Sequence, residues 1–255
     1  MIITIANQKG GVGKTTTALE LGEVLLEKGF KVLFIDADKQ CNLTATLKAQ
    51  ATNSGTYSIL ANKEPAKDVI QEIEGHSVIA ASKALANIDM LLADATGREY
   101  RLKESLEGIR GMFDFIIIDT PPSLSSTTVN ALTATDYLII TNNADIYSLT
   151  GTADLYSVVQ TVKKYTNKAL TIGGILLTRY NGRSTISKDI KDMLEDTAKQ
   201  YGTKVYSTVI RECVAIRESQ TLKENLLEYA PKSNAAADYR ALAEEIIADN
   251  KILLI

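Results

Sequence analysis

The sequence predicts an α/β protein with a doubly wound, mostly parallel sheet and helices on both faces. Three observations predict it. Short β-branched runs recur along the whole chain, segments of helical period separate most of them, and a glycine-rich turn joins the first run to the first helical segment. No composition shift, Gly/Ser linker or internal repeat divides the 255 residues, so residues 1–255 read as one domain.

The first strand is "MIITIAN" at 1–7, followed by the turn "QKGGVG" and a helix over 14–29. "KVLFID" at 31–36 reads as the second buried strand, and "HSVIAAS" and "NIDMLLA" within 76–93 as candidates for further strands. A helical pattern over 98–110 precedes "FDFIIID" at 113–119, and another over 126–135 precedes "DYLIIT" at 136–141. Helices over 148–165, 184–200 and 235–250 alternate with strands "TIGGILL" at 171–177 and "KVYSTVI" at 204–210.

Composition narrows the chemistry. The single histidine, His76, excludes a Ser-His-Asp triad in any ordinary sense and a multi-histidine metal site. Cys41 and Cys213 form no C-x-x-C pattern, which fits a reducing compartment and gives no zinc or iron–sulfur reading. The net charge of −3 and pI near 5.4 are unlike a dedicated DNA-binding protein, although residues 179–223 hold nine Lys/Arg against six Asp/Glu. The apolar runs are short, and the start in a strand carries no signal-peptide pattern, so a cytoplasmic protein is expected.

The stretch "ANQKGGVGKTTTALELG" at 6–22 lies where a strand feeds a helix, the place where backbone N–H groups and the helix dipole bind phosphate. Gly10, Gly11, Val12, Gly13, Lys14, Thr15 and Thr16 form the expected cradle. Within it Lys14 reaches the β- and γ-phosphates and Thr15 ligates Mg²⁺. Magnesium needs oxygen ligands from neighbouring strand ends. "VLFIDAD" supplies Asp36 and Asp38 there, and "FIIIDTPP" supplies Asp119 at a Walker-B position. ATP and Mg²⁺ are the cofactors this arrangement implies.

These residues resemble the ParA/MinD group of deviant Walker-A P-loop ATPases, and more closely its ParA/Soj branch, which segregates plasmids and chromosomes. "KGGVGKTT" (9–16), "DADKQCNLT" (36–44), "FDFIIIDTPPSLSSTTVNAL" (113–132) and "EYAPKSNAAADYRALAEEI" (228–246) carry the resemblance in order. The resemblance implies that Lys9 reaches across an ATP-bound sandwich homodimer to the partner subunit's phosphates. It also implies that Asp38 orients the attacking water, while Asp36 and Asp119 shape the metal shell. It further implies slow hydrolysis stimulated by a ParB-like DNA-binding partner, nonspecific double-stranded DNA as ligand, nucleoid association in the ATP state and no membrane. Thr178, Ile210 and Arg211 fall in the neighbourhood of the family's adenine site.

Departures from the family pattern are visible. In the second block Lys39 stands for the usual proline and Cys41 for glycine, while Gln40 and Asn42 remain. In "IRECVAIRESQ" Arg211 stands at a proline and Ala215 at an arginine of the family's DNA surface, whereas Arg183 in "YNGRST" matches. Arg183, Arg211 and Arg217 are therefore the expected DNA contacts, with Lys188 and Lys223 as substitutes. A MinD-like membrane-cycling ATPase is the alternative and needs a basic amphipathic C-terminal helix, which the acidic "AEEIIADNKILLI" does not offer. A metabolic P-loop enzyme or nitrogenase-type reductase is a third class, without the cysteines for a bridging cluster.

Overall fold

The computed structural model describes residues 1–145 and 147–251, with residues 147–150 described through their backbone. Among these residues, strands β1 (Ile2–Ala6), β2 (Val32–Asp36), β3 (Gln71–Ile73), β4 (His76–Ile79), β5 (Phe115–Asp119), β6 (Tyr137–Asn143) and β7 (Thr171–Thr178) form one sheet in the order β3-β4-β2-β5-β1-β6-β7. All neighbours are parallel except β3 and β4. The chain leaves central β1 for β2 on one side, and later arrives at β6 on the other. This reversal places a crevice at the carboxyl ends of the strands.

The helices are α1 (Lys14–Glu27), α2 (Asn42–Thr46), α3 (Thr56–Asn62), α4 (Ile88–Leu91), α5 (Arg101–Glu107), α6 (Ser126–Ala134), α7 (Tyr147–Tyr165), α8 (Thr185–Gln200), α9 (Val214–Leu222), α10 (Leu226–Tyr229) and α11 (Asn234–Asp249). They cover both faces, as the buried strands require. Along β5, Phe115 and Ile117 face the cluster under α1 and α11, while Ile116 and Ile118 face the one under α3, α5 and α6. Each fully buried side chain of this kind stabilises the fold by about 1.5–3 kcal/mol. Gly22 seats α1 close on β2, because a Cβ there would lie 2.1 Å from Cε1 of Phe34.

Three expectations need correction. Residues 204–210 form no regular strand. Tyr206 and Ile210 donate to the carbonyls of Ile175 and Leu177, but between them the amides of Ser207 and Thr208 turn to the Glu245 carboxylate (3.0 Å each), which breaks the ladder. In the 76–93 stretch only His76–Ile79 is a strand, and Ile88–Leu91 is a helical turn. Short apolar runs do not reveal their period. The 98–110 helix is interrupted, a 3-10 turn at Arg98–Tyr100 leading into α5.

Candidate nucleotide site

The glycine-rich turn sits at the crest beside β1. Gly11 (φ 73°) and Gly13 (φ 80°) adopt left-handed backbone that only glycine takes at little cost, and Gly13 is the N-cap residue of α1. Gly10 is exposed and Val12 fully buried, anchoring the turn. Thr178 at the end of β7 donates from Oγ1 to the Val12 carbonyl (3.0 Å) and packs 3.4 Å from where a Gly13 Cβ would be. The free N–H groups of the first turn of α1 therefore point into the crevice.

Lys14 opens α1, is 7% exposed, and donates from Nζ to the Lys9 carbonyl at 3.0 Å. Burial pushes its ammonium below the usual lysine range, and Asp119 and Asp38 oppose that shift. Lys9 points away from Lys14. Its Nζ reaches both oxygens of Asp145 at 2.7 and 2.8 Å, and both side chains remain about one-third exposed. The two lysines thus sit on different partners.

Asp36 and Asp119 are register partners on adjacent parallel strands and both are fully buried. Two carboxylates one strand spacing apart resist joint ionisation. Burial, Asp36 and Asp38 hold the Asp119 carboxyl well above its usual range, against Thr15 and Lys14. Thr15 donates from Oγ1 to Asp119 Oδ2 at 2.6 Å, while Asp119 Oδ1 is buried with no hydrogen-bond partner. A hydroxyl and an orphaned carboxylate oxygen at a phosphate cradle fit a hard divalent cation that keeps several waters.

Asp36 is placed differently from the metal-ligand expectation. Its Oδ1 accepts from the Asp38 amide (3.0 Å) and its Oδ2 from Thr44 N (2.8 Å) and Oγ1 (2.7 Å). Burial raises its carboxyl to about 6 despite these bonds. Asp36 therefore holds the 38–44 loop. Asp38, 7% exposed, accepts the Gln40 amide on Oδ1 (3.0 Å), and its Oδ2 takes no hydrogen bond among the described residues. Cys41 adopts φ 57° and ψ 32°, the left-handed geometry that a glycine would take without strain.

Gly10, Gly11, Gly13, Lys14, Thr15 and Asp38 line a cleft of about 520 Å³. Its far wall comes from α9, where Gln220 donates from Nε2 to Thr16 Oγ1 at 2.6 Å. Thr178 and Ile210 line the cleft, as does Lys223, whereas Arg211 does not. Arg211 is clamped on Asp238, by Nη2 at 2.6 Å, Nε at 3.0 Å and its own amide at 3.0 Å.

The basic segments adjoin at the same crest, since Tyr180 donates to the Ile210 carbonyl and accepts from the Glu212 amide. Arg183, exposed in the turn before α8, makes no side-chain ion pair among the described residues. Arg217 on α9 pairs with Glu212 at 3.3 Å, both largely exposed, and Lys188 is exposed on the first turn of α8. Sequence reasoning missed Thr44, Asp145, Glu20 and Gln220. Asp145 had a signal, an acidic residue just past a strand end, and Glu20 and Thr44 lie a helical turn beyond Thr16 and eight residues beyond Asp36, whereas Gln220 is joined to the site only by tertiary packing.

Comparison with known proteins places this geometry. The AAA domain family model matches residues 1–172, and the model of 4Fe-4S iron sulfur cluster binding proteins of the NifH/frxC family matches residues 126–255. The latter part contains one cysteine, Cys213, fewer than a four-thiolate cluster shared by two chains would need from each. The sporulation initiation inhibitor protein Soj of Bacillus subtilis is 38% identical over 252 residues, 97% of this chain and 98% of that protein. The chromosome partitioning protein ParA of Caulobacter vibrioides is 37% identical, over 97% and 94%. Among solved structures, cobyrinic acid a,c-diamide synthase from Mycobacterium smegmatis with bound ADP and magnesium superposes with a TM-score of 0.84 at 31% identity, over 98% of this chain and 95% of that one.

Proposed function

Because the chain belongs to the ParA/Soj family of partition ATPases, we propose that it binds Mg-ATP in this cleft, closes into a homodimer and carries nonspecific DNA until slow hydrolysis releases it. The observation that carries the reading is the Thr15–Asp119 pair with its orphaned Oδ1, set below the turn that presents Lys14. Thr15 and Asp119 would hold Mg²⁺, which when bound supplies charge neutralisation to the phosphate oxygens. With a cation held there, Asp119 would ionise more readily beside Asp36.

The remaining steps belong to the chain. The N–H groups of 11–16 and the Lys14 ammonium bind the phosphates and fix their direction along the cleft. Asp38, held by its amide on Asp36, offers Oδ2 as the acceptor that orients a water for in-line attack. Lys9 leaves Asp145 and places its ammonium at the phosphates of the partner subunit, so hydrolysis waits on dimerisation. Arg183, with Arg217 and Lys188, forms the DNA-facing patch, which only a dimer doubles. Arg211 contributes less, being neutralised by Asp238. A ParB-like protein is the proposed stimulating partner.

The test is Lys9→Ala. Calorimetry should show Mg-ATP affinity within about threefold of wild type, whereas Lys14→Ala should lose it. Light scattering should show no ATP-induced dimer, and turnover should fall at least about 10³-fold, the lower range for a cation supplied in trans. A normal ATP-induced dimer from Lys9→Ala sinks the in-trans role.

A further inference from the structure

One cation of the cleft lies outside the phosphate and metal chemistry. Arg179, the residue after β7, lines the cleft and is exposed, and its side chain makes no hydrogen bond or ion pair among the described residues. Its backbone is left-handed (φ 51°), a conformation that costs any residue with a Cβ and persists only where the surroundings hold it. They hold it from both sides. Thr178 is fixed to the phosphate turn through Oγ1 on the Val12 carbonyl (3.0 Å). Tyr180 is fixed to the neighbouring segment, its amide donating to the Ile210 carbonyl (3.0 Å) and its carbonyl accepting from the Glu212 amide (3.2 Å). Glycine or asparagine would sit between these anchors with less strain. A long cation kept there, at the wall of a cleft, is an outlier of the sort that clusters at ligand sites. The neighbouring arginine does not duplicate it, since Arg211, bridged to Tyr180, lies outside the cleft and is neutralised by Asp238 at 2.6 Å.

Phosphates seated on the N–H groups of 11–16 leave the nucleoside to run along the cleft toward α9, the far wall that Gln220 joins to Thr16. Arg179 stands between these ends, because Thr178 packs on Gly13 while Tyr180 pairs with the segment that leads into α9. Leu19, Ile210 and Ile216 give the cleft the apolar lining that a flat ring requires. A guanidinium is planar and weakly hydrated, and it lies on aromatic faces better than the compact, strongly hydrated ammonium of lysine does. We propose that Arg179 stacks on the base of the bound nucleotide and so favours a purine over the smaller ring of a pyrimidine. This rests on the reading that the cleft takes a nucleoside triphosphate. Stacking uses the π face of the base, so its strength follows the ring, whereas a contact to phosphate or ribose is the same for every base.

Binding of Mg-ATP and Mg-UTP to the full chain by calorimetry tests this, because the two ligands share triphosphate and ribose and differ only in the base. Arg179→Ala should weaken Mg-ATP about tenfold and Mg-UTP by less than about threefold, so that the preference for ATP shrinks. Arg179→Lys keeps the charge without the plane and should still lose at least about fivefold for Mg-ATP. An equal loss for the two nucleotides in Arg179→Ala puts the guanidinium on the shared phosphates or ribose and overturns the proposal. Wild-type affinity for Mg-ATP in Arg179→Ala or in Arg179→Lys overturns it as well. Should wild type take no UTP, the Arg179→Lys arm decides alone. Failure of wild type to bind Mg-ATP overturns the nucleotide reading itself.

Discussion

Thr44→Val isolates the buried support of the 38–44 loop. Thr44 is 1% exposed, Asp36 and Ala81 are fully buried, and the threonine hydroxyl both donates to Asp36 Oδ2 (2.7 Å) and accepts the Ala81 amide (2.9 Å). Valine fills the same volume without either bond. At pH 7.5 Asp36, raised to about 6, is ionised, so the lost donor is a charge-assisted one worth about 1.5–3 kcal/mol. The orphaned Ala81 amide adds roughly 1–3 kcal/mol, and the expected total is about 3–5 kcal/mol. Because the folded pKa of Asp36 lies above its unfolded value, the group favours folding fully below about 4, and that contribution is lost as pH rises through about 6. At pH 5 the folded carboxyl is protonated, so the lost bond is an ordinary one and the cost of Thr44→Val should fall by roughly 1 kcal/mol. Urea unfolding at both pH values, with Thr44→Ser as the hydroxyl-retaining control, measures this. A cost below about 1 kcal/mol at pH 7.5, or serine behaving like valine, refutes the reasoning.

Asp38→Ala should bind Mg-ATP and dimerise but lose about 10²–10⁴-fold in turnover, and single-turnover release of phosphate from the preformed dimer checks it. Arg183→Ala should weaken ATP-dependent retention on unrelated duplexes about equally and flatten the salt dependence by roughly one phosphate contact per subunit, read by filter binding from low to moderate salt. Cys41→Gly should be more stable than Cys41→Ala by about 1 kcal/mol in thermal unfolding, since glycine alone relieves the left-handed backbone at φ 57°.

The legible parts of the molecule were those whose chemistry is local. The P-loop, the three strand-end aspartates and the alternation of strand and helix each depend on residues within a few positions of one another, and the structure brings Lys14, Thr15, Asp38 and Asp119 to one crest. What was misread depends on remote partners. The 204–210 run has good strand composition, but Glu245, some forty residues later, captures two of its amides. Asp36 is expected from its strand end to shape a metal shell, and the structure adds that its oxygens also accept from the Asp38 amide and Thr44, a use that the strand-end position does not reveal. Arg211 looked like a free surface cation, yet Asp238 from α11 holds it in a fork that spacing alone does not reveal.

The interrupted ladder beside β7 also governs how copies of this protein can meet. An open parallel edge is a template for adding strands from another chain, which leads to unregulated aggregates. Here the outer side of β7 is covered by a segment whose backbone bonds it only at Ile175 and Leu177, with the Tyr206 ring packed on Gly174. That segment is pinned to α11 through Glu245 and flanked by Lys204, which pairs with Glu245 (2.9 Å) and Asp249 (2.7 Å). The opposite edge, β3, is three residues long. Neither border of the sheet offers a run of unpaired backbone long enough to recruit a neighbour. Contact between copies is left to side chains, whose fit a small molecule can make or unmake.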